Sequence, residues 1–369
     1  MMIPRPALQS LPPYVPGQSI ESVMKQHGLE HVIKLASNEN PLGCPVSASV
    51  YEAFVATAHR YPPTHHGLRD TLAQLHGVSP DAVLLGNGSD ELLQIIALSM
   101  LSPGDHVLTA KETFSEYRFV TALAGASLTE VPLKDHTYDV AGILAQVTPA
   151  TRVVYIANPN NPTGTLLGRS DMTTLMTALP SHVLVVWDQA YADYVTHPDW
   201  MPLHDLLAFP NVVVTRTFSK LYGLAAFRLG YAMASEAVIQ CLQLAKPPFN
   251  VNGLALAAGQ AVLAMPAFVA ESLSLNQSGM HWLTHALQAR GWEVVPSQAN
   301  FVCVHVGPAA LALTRFLLTQ GIIIRHLASF GMPHYVRITI GLPEELQRCM
   351  AAVDRFLSDQ RGTGTIPPP

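Results

Sequence analysis

The fold is decided by residues 211 to 230, which read Asn211-Val-Val-Val-Thr-Arg-Thr-Phe-Ser-Lys-Leu-Tyr-Gly-Leu-Ala-Ala-Phe-Arg-Leu-Gly230. Its β-branched opening predicts a buried strand. The strand runs into Thr217, Ser219 and Lys220, and Arg228 follows after a segment rich in Gly and Ala. Open α/β sheets bind ligands at the carboxyl ends of their strands. The stretch therefore predicts a ligand site that contains an amine, hydroxyls and a guanidinium.

Lys220 stands in an apolar run, between Phe218 and Tyr222. Apolar surroundings lower the pKa of a lysine because they disfavour the charged ammonium. A neutral amine can attack a carbonyl carbon and form a Schiff base. Ser219 and Arg228 would suit a phosphate on the same ligand. The alternative is an ordinary surface lysine after a strand, and the apolar setting favours the Schiff-base lysine.

The composition indicates a folded protein with large buried cores. Apolar residues make up 49% and charged residues 13% of the chain, which excludes a disordered chain. A length of 369 residues exceeds one typical core, so we expect two domains. The net charge of −5 gives no general attraction to nucleic acid or to an anionic membrane.

The cysteines and the N-terminus bear on location. The four cysteines are scattered, without the paired spacing of a zinc site or a disulfide framework. The first residues lack the apolar core of a signal peptide. We therefore expect a cytoplasmic protein with no metal site and no membrane span.

Strands and helices alternate through the first two thirds of the chain. Short apolar strands are predicted at about residues 82–86, 106–109, 152–157 and 182–187. This alternation predicts an α/β fold whose parallel sheet is covered by helices on both faces. Two strands run into polar segments, 158–164 and 188–191, and residues 217–220 follow a third. Three strand ends thus bring polar groups to one sheet edge, which indicates a binding site.

A candidate anion site follows the strand at residues 82–86. Gly88 permits a tight turn, and Ser89 and Asp90 are expected at the cap of a helix. The backbone N–H groups of that first turn would bind an anion, although capping alone explains the two residues equally well. The segment lacks the third glycine of a dinucleotide fingerprint, which disfavours a structural NAD-binding protein.

The rest of the chain predicts a smaller α+β domain. It contains a long helical region to about residue 289, strands at about 292–295, 301–306, 321–325 and 335–340, and a last helix at about 344–357. Alternation along the strand 335–340 places Arg337 on a polar face, either as an anion ligand or as a solvated arginine on a half-exposed strand. The predicted units are an arm with a short helix at 1–37, a large domain at 38–255, a small C-terminal domain at 256–361 and a disordered tail at 362–369.

Three motifs occur in a fixed order: Asn161-Pro-Thr-Gly, Asp188-x-x-Tyr191, and Thr217-Phe-Ser-Lys220 with Arg228. With this set the chain resembles the fold-type-I aminotransferases of class I/II, which use pyridoxal 5'-phosphate. It is similar in particular to the histidinol-phosphate aminotransferase branch, through Leu11-Pro-Pro-Tyr-Val-Pro-Gly17, Leu35-Ala-Ser-Asn-Glu-Asn-Pro41, Arg60-Tyr-Pro62, Gly86-Asn-Gly-Ser-Asp-Glu91 and Val336-Arg-Ile-Thr-Ile-Gly341.

The resemblance covers nearly the whole chain and implies a fold and an activity. The fold would be type I, with a mostly parallel central sheet in a large domain and a smaller α+β C-terminal domain. The cofactor would be pyridoxal phosphate. The reaction would move an amino group between histidinol phosphate and 2-oxoglutarate, with glutamate as the other amino acid, in L-histidine biosynthesis.

The resemblance also implies roles for residues. Lys220 would carry the cofactor through a Schiff base, Asp188 would pair with the pyridine nitrogen, and Phe114 would stack on the ring. Asn161 and Tyr191 would form hydrogen bonds with the ring's 3-oxygen. The implied catalytic residues are Lys220, Asp188 and Tyr191. The residues implied for the phosphate are Ser89, Asp90, Ser219, Arg228 and, from a neighbouring subunit in a homodimer, Tyr61.

The implied substrate contacts are Arg337, Arg325, Tyr14 and Asn38. Histidinol phosphate carries a CH2-phosphate where an ordinary amino acid carries its carboxylate, so one anion site must accept both. A second guanidinium, Arg325, would favour a dianion. The chain departs from the family's pattern at Gln189, where Glu is usual, and at Ala192 and Asp193.

Other functions stay open at this point. An aromatic amino acid aminotransferase, acting on phenylalanine or tyrosine alone or as a second activity, would use the same cofactor residues. So would an enzyme like phosphothreonine decarboxylase. A cofactor-binding regulator fused to a DNA-binding module is disfavoured, because the N-terminal arm is short and no basic patch is present.

Overall fold

The structure is a computed structural model that describes residues 6–9, 17–63 and 66–362. The predicted substrate contact Tyr14, most of the motif at 11–17 and residues 363–369 of the predicted tail lie outside the described residues. Gly362, predicted to begin that tail, is instead the last residue of the C-terminal helix.

The described residues form short and medium strands connected by helices. The strands are β1 (Ile33–Lys34), β2 (Val83–Gly86), β3 (His106–Ala110), β4 (Ser127–Val131), β5 (Thr151–Ala157), β6 (Leu184–Asp188), β7 (Val212–Thr217), β8 (Gly230–Ala234), β9 (Glu293–Val295), β10 (Phe301–His305), β11 (Ile322–Ile323), β12 (Arg325–His326) and β13 (Tyr335–Thr339).

The α-helices share the pattern expected of an α/β protein, since most of them connect consecutive strands. They are α1 (Pro6–Gln9), α2 (Ile20–His27), α3 (Ala48–Thr57), α4 (Gly67–His76), α5 (Gly88–Met100), α6 (Glu116–Ala124), α7 (Val140–Ala145), α8 (Arg169–Ala178), α9 (Leu203–Leu207), α10 (Glu236–Gln243), α11 (Gly253–Leu263), α12 (Pro266–Gln288), α13 (Ala310–Thr319) and α14 (Pro343–Gly362).

A seven-stranded sheet organises the described part of the chain, in the order β2-β8-β7-β6-β5-β3-β4. Strands β7, β6, β5, β3 and β4 run parallel to one another. The predicted α/β fold with a mostly parallel sheet is confirmed. Strand β8 was not predicted, and it runs antiparallel between β2 and β7. Its sequence, Gly-Tyr-Ala-Met-Ala, has no β-branched residue and so lacks the usual strand signal.

Helices cover both faces of this sheet because side chains alternate along its strands. On β5, Val154 and Ile156 face a core shared with α4, α7, α8 and α11. Val153 and Tyr155 on the same strand face the opposite core, which is shared with α5, α6 and α10. Each such aliphatic side chain contributes about 1.5–3 kcal/mol by leaving water. The central strands are therefore fixed from both sides.

A second sheet, β12-β13-β10-β9, is antiparallel and has its own core. That core includes Ile33 and Leu35, which precede the large sheet in the chain. The strand predicted at residues 321–325 is instead two short strands, of which β11 pairs with β1 and β12 pairs with β13. The domain boundaries at 37/38 and 255/256 stay a prediction.

The long helical region predicted up to residue 289 is two helices. Helix α11 ends at Leu263, and α12 begins at Pro266, which is tolerated in a first turn because its missing N–H would have no partner there. In the described residues no single helix is long and apolar enough to cross a membrane, whereas this pair, bent by 80°, passes such a test when taken together.

The register of three parallel strands creates the site. Ala157 at the end of β5 is paired with Asp188 at the end of β6, and Asp188 is paired with Thr215 on β7. The polar segments that follow these strands consequently leave the sheet at one edge. The predicted convergence of three strand ends is present in the structure.

Candidate active site

A cavity of about 260 Å³ opens at the carboxyl ends of β5, β6 and β7. The large sheet, the start of α5 and the second sheet all contribute to its wall. The predicted site residues that line it are Asn38, Ser89, Asp90, Phe114, Asn161, Asp188, Tyr191, Ser219, Lys220, Arg228, Arg325 and Arg337. The structure thus brings together nearly every residue that the sequence motifs indicated.

Lys220 follows β7 and presents its amine to this cavity. Its Nζ donates a hydrogen bond to the carbonyl oxygen of Ser37, 3.1 Å away, and lies 6.0 Å from the centre of the Tyr191 ring. Burial, helped by the positive charge of Arg337, lowers the pKa of Lys220 to about 8. A useful fraction of the amine is therefore neutral near physiological pH and can act as a nucleophile or a base.

Asp188 ends β6 and is buried. The Tyr117 hydroxyl donates to its Oδ2 at 2.9 Å, and the Ala190 N–H donates to its Oδ1 at 3.2 Å. Burial raises the pKa of Asp188 to about 6, so the carboxylate is mostly ionised at neutral pH. Among the described residues no lysine, arginine or histidine forms a salt bridge with it.

Tyr191 is held by Asn38 from the opposite wall. The Asn38 side-chain amide donates to the Tyr191 hydroxyl oxygen at 2.9 Å, and the Asn38 Oδ1 accepts from the Thr339 hydroxyl at 3.0 Å. Asn38 has φ 56°, a left-handed conformation that asparagine tolerates better than most residues. Asn38 was predicted as a substrate contact. In the structure its side chain holds the Tyr191 hydroxyl in place.

The start of α5 offers backbone donors to the cavity. Asn87 occupies the N-cap, so Ser89 and Asp90 lie in the first turn and not at the cap where they were predicted. The N–H groups of a first turn have no partner within the helix and carry the positive end of its dipole. A Cβ on Gly230 would lie 2.8 Å from the Ser89 nitrogen, so glycine is needed there for β8 to pass this close to the turn.

Arg228 completes this anion-binding corner. It adopts a left-handed conformation with φ 55°, which turns the chain back toward the cavity. Its Nη2 donates to Asp90 Oδ2 at 2.9 Å, and its Nη1 lies 3.5 Å from the Ser219 hydroxyl oxygen. A Cβ on Gly88 would lie 2.7 Å from the Arg228 guanidinium, so the space beside the helix start is used by the arginine. Guanidinium, hydroxyl and first-turn N–H groups together suit a phosphate.

Two arginines come from the second sheet. Arg325 on β12 and Arg337 on β13 are partners in the strand register, and both line the cavity. Arg337 is only 6% exposed on a strand that is covered on both sides, so the alternative of a solvated arginine on a half-exposed strand is wrong. Its Nη2 donates to the Ala36 carbonyl at 2.7 Å, and its Nη1 donates to Asn161 Oδ1.

Arg325 stands nearer to the solvent than Arg337 does. Its Nη2 lies 3.4 Å from the Ser329 hydroxyl, and its guanidinium lies 6.0 Å from the centre of the Phe330 ring. Both contacts are long, which leaves the guanidinium able to turn toward an anion in the cavity. The two arginines thus differ, one fixed in the wall and one at the rim.

Phe114 lies on the wall between these groups, partly buried. Its ring meets that of Tyr117 edge to face, with centroids 5.8 Å apart. Tyr61, in contrast, does not line the cavity in the single chain. It is 81% exposed and stacks on Phe249, with ring centroids 4.7 Å apart. Its predicted contact with a phosphate therefore depends on a second subunit.

Sequence patterns did not reveal two features of the site. The first is the Tyr117 hydroxyl on Asp188, whose only signal was a second aromatic residue three positions after Phe114. The second is a partly buried ion pair behind the site. Arg216 donates to Gln189 Oε1 at 2.9 and 3.1 Å, and its Nη1 lies 3.4 Å from Asp193 Oδ1. The unusual Gln189 and Asp193 therefore share one arginine, and Asp193 supplies the carboxylate that position 189 lacks.

The donor set fits pyridoxal phosphate. A protonated pyridine nitrogen would supply the cation that the buried Asp188 carboxylate lacks among the described residues. Lys220 provides the amine for the aldehyde, and Phe114 provides an aromatic face for the ring. The corner at Ser219 and Arg228 would suit the phosphate. In the same described residues, no group of three or more His, Cys, Asp or Glu side chains could hold a metal ion.

Comparisons with known proteins agree with this geometry. The family model described as aminotransferase class I and II matches residues 30–353. Histidinol-phosphate aminotransferase 2 of Hydrogenovibrio crunogenus is 40% identical and covers 96% of both chains. Histidinol-phosphate aminotransferase of Halalkalibacterium halodurans is 40% identical over 97% of this chain and 98% of its own. The crystal structure of histidinol-phosphate aminotransferase from Sinorhizobium meliloti in complex with pyridoxal-5'-phosphate has 29% identity and a TM-score of 0.88, and covers 96% of this chain and 97% of its own.

Replacing the buried amine should stabilise the cofactor-free protein. Lys220→Met is expected to raise the free energy of unfolding at pH 7 by about 2–3 kcal/mol, because the wild type must bury a protonated lysine. The gain should shrink between about pH 8 and 10, where the unfolded lysine keeps its proton and the folded lysine loses it, so that wild-type stability rises. Urea unfolding at pH 7, 8.5 and 9.5 measures this.

Lys134→Met is the matched control, because Lys134 is exposed. It should change the free energy of unfolding little and without pH dependence. A stabilisation by Lys220→Met that stays constant from pH 7 to 9.5 would contradict the lowered pKa of Lys220.

Proposed function

The chain belongs to the aminotransferase class I and II family, and we propose that it uses pyridoxal phosphate to transfer an amino group between histidinol phosphate and 2-oxoglutarate. One observation carries this proposal: the amine of Lys220, the carboxylate of Asp188 and two guanidinium groups line one cavity. The names of relatives 40% identical to this chain support the substrate and a place in histidine biosynthesis.

The wall of the cavity would bind and orient the cofactor. When bound, pyridoxal phosphate supplies an aldehyde that reacts with amines and a ring that withdraws electrons from the attached carbon. Asp188 would accept the N–H of the ring, and its negative charge would keep that nitrogen protonated. Tyr191 and the amide nitrogen of Asn161 would donate to the ring's 3-oxygen, since the Asn161 oxygen is bonded to Arg337.

Lys220 would move the proton of the reaction. Its Nζ is near the Tyr191 ring and has a pKa of about 8, so it can take a proton from the substrate Cα and return one during the same turnover. A general base works best when its pKa is close to the working pH. The hydrogen bond from Asn38 keeps Tyr191 in position beside this amine.

Arg337 and Arg325 would set the substrate preference. Arg337 is fixed by the Ala36 carbonyl and by Asn161, so its position costs little ordering when an anion binds. Arg325 can join it from the rim. Two guanidinium groups match a phosphate dianion better than the single negative charge of a carboxylate. The site would still accept the carboxylate of glutamate through Arg337.

Removal of the rim guanidinium should penalise the phosphorylated substrate most. For Arg325→Gln we expect the rate of the half-reaction with histidinol phosphate to fall about 10- to 100-fold, because a charged hydrogen bond contributes about 1.5–3 kcal/mol. This rate is followed as the absorbance of the lysine-bound cofactor gives way to that of the aminated cofactor. Conversion by phenylalanine and tyrosine should fall much less. Single-turnover absorbance measurements on the cofactor-loaded protein give these rates.

Arg315→Gln, at an exposed position on α13, is the matched control and should leave all the rates unchanged. Wild-type rates with the aromatic amino acids that equal or exceed the rate with histidinol phosphate would contradict the proposed substrate and indicate an aromatic amino acid aminotransferase. If no absorbance from a lysine-bound cofactor develops, the proposed cofactor is wrong.

A homodimer with shared active sites is part of the proposed function. Tyr61 and Phe249 form an aromatic stack on the surface, and Val55 and Leu244 are exposed as well, at 72% and 89%. An exposed pair of large apolar rings in contact, such as Tyr61 and Phe249, is a candidate for a protein interface. A second subunit would cover this stack, and its Tyr61 would reach the phosphate held by Arg228.

Hybrid dimers test this sharing. Lys220→Ala removes the amine and Tyr61→Ala removes the contact from the neighbour, so each homodimer should have low activity. In a hybrid of the two, one site carries both defects and the other carries neither, so co-expression with two different affinity tags should restore activity. A purified hybrid no more active than the parent homodimers would contradict a shared site.

We also propose a cytoplasmic location for this enzyme. All four cysteines, Cys44, Cys241, Cys303 and Cys349, are unpaired. Reduced cysteines are usual in the cytoplasm, where thiols are kept reduced.

A further inference from the structure

We propose that Tyr117 is the positioning residue for Asp188. Its hydroxyl holds the carboxylate in place and keeps it ionised, so that the carboxylate can accept a hydrogen bond from a protonated aromatic nitrogen. This role rests on the proposed function, because it concerns the ring of pyridoxal phosphate. It adds to the site a residue that neither forms part of the sequence motifs nor lines the cavity.

The contact between the two residues is direct. The Tyr117 hydroxyl donates a hydrogen bond to Asp188 Oδ2 at 2.9 Å, and the Ala190 N–H donates one to Asp188 Oδ1 at 3.2 Å. Both carboxylate oxygens are thus held by donors from two different elements. Tyr117 itself is completely buried, and burial together with the nearby Asp188 charge raises the pKa of its phenol well above the usual value. The hydroxyl therefore keeps its proton and acts only as the donor.

The ring of Tyr117 is fixed in turn. It stacks on Tyr155 of β5, with centroids 5.0 Å apart and planes within 5° of parallel. It also meets the ring of Phe114, the residue proposed to stack on the cofactor, in an edge-to-face arrangement. Tyr117 thereby supports both partners of the cofactor ring, the carboxylate at the nitrogen and the aromatic face beside it.

Asp188 depends on this donor because its surroundings disfavour charge. Burial raises its pKa to about 6, and the bond from Tyr117 acts in the opposite direction. A buried carboxylate that loses a donor to its charged form becomes easier to protonate. The other ionisable groups around the carboxylate are Tyr138, Tyr191 and Asp90, and the cavity beside it is also lined by Lys220, Arg228, Arg325 and Arg337.

Tyr155 provides a matched control within the same stack. It is buried to the same degree as Tyr117, yet its hydroxyl has no hydrogen-bond partner among the described residues. Tyr117→Phe and Tyr155→Phe both keep the stacked rings and remove one buried hydroxyl. Only the first change takes a donor from Asp188.

The test measures how tightly the cofactor-free, full-length protein binds pyridoxine 5'-phosphate between pH 6 and pH 9. This probe has the ring nitrogen and the phosphate but no aldehyde, so the amine of Lys220 forms no bond with it. We expect Tyr117→Phe to bind the probe roughly fivefold more weakly than wild type at pH 6, because a rise of about one unit in the pKa of Asp188 lowers its ionised fraction there from about a half to about a tenth. At pH 9 the two should agree within about twofold, and Tyr155→Phe should follow wild type throughout.

The same comparison in protein that carries Asp188→Asn shows whether the effect of Tyr117→Phe requires the carboxylate. There Tyr117→Phe should no longer change the pH dependence of binding. Should the single variant Tyr117→Phe fail to fold while the double variant folds, the result supports the same role, since only the buried charge differs. Urea unfolding of each variant reports this.

Three results would overturn the proposal while leaving the proposed function intact. They are a pH profile of Tyr117→Phe identical to wild type, a weakening by one factor at every pH, and failure of both the single and the double variant to fold. Absence of any binding of the probe by the wild-type protein would instead overturn the proposed cofactor, and with it the role of Tyr117.

Discussion

Burial of two opposite charges at one edge of a parallel sheet is the constraint on which the site depends. The register of β5, β6 and β7 puts Asp188 and the segment bearing Lys220 at neighbouring strand ends. Burial then moves their pKa values toward neutrality from opposite sides, to about 6 for the carboxylate and about 8 for the amine. One residue becomes a fixed negative charge and the other becomes a base that works near neutral pH.

The site is complete only when the two sheets pack together. Arg337 comes from the antiparallel sheet, yet it donates to Asn161, which follows a strand of the large sheet. Asn38 bonds Tyr191 on one side and Thr339 of β13 on the other. These contacts couple the residues proposed to hold the cofactor with those proposed to hold the substrate. A change in the packing of the sheets would therefore alter both groups at once.

Much of the fold and of the site could be predicted from the sequence, because motifs at strand ends carry position as well as chemistry. Lys220, Asp188 and Arg228 were found in this way, and the structure places all three on one cavity. Strand β8 was missed because its residues are small or unbranched and its burial comes entirely from its neighbours. The alternation around Arg337 left a solvated arginine open as an alternative to an anion ligand, since a sequence does not show what packs on the second face of a strand.

The Tyr117–Asp188 bond was missed for a related reason. The two residues are 71 positions apart, and only the folded sheet and α6 bring the hydroxyl to the carboxylate. The contacts of Gln189 and Asp193 with Arg216 could not be predicted from sequence spacing either. Gln189 and Asp193 follow β6, whereas Arg216 lies on β7. Contacts between distant segments, when they are not part of a motif, require the structure.

Reduction of the cofactor-loaded protein with borohydride, followed by peptide mapping, tests the central claim most directly. Borohydride fixes pyridoxal phosphate permanently to the lysine that carries it, without the need for any substrate. The account predicts a single phosphopyridoxyl group on the peptide that contains Lys220. A label on another lysine, or no label on a protein that has bound the cofactor, would contradict it.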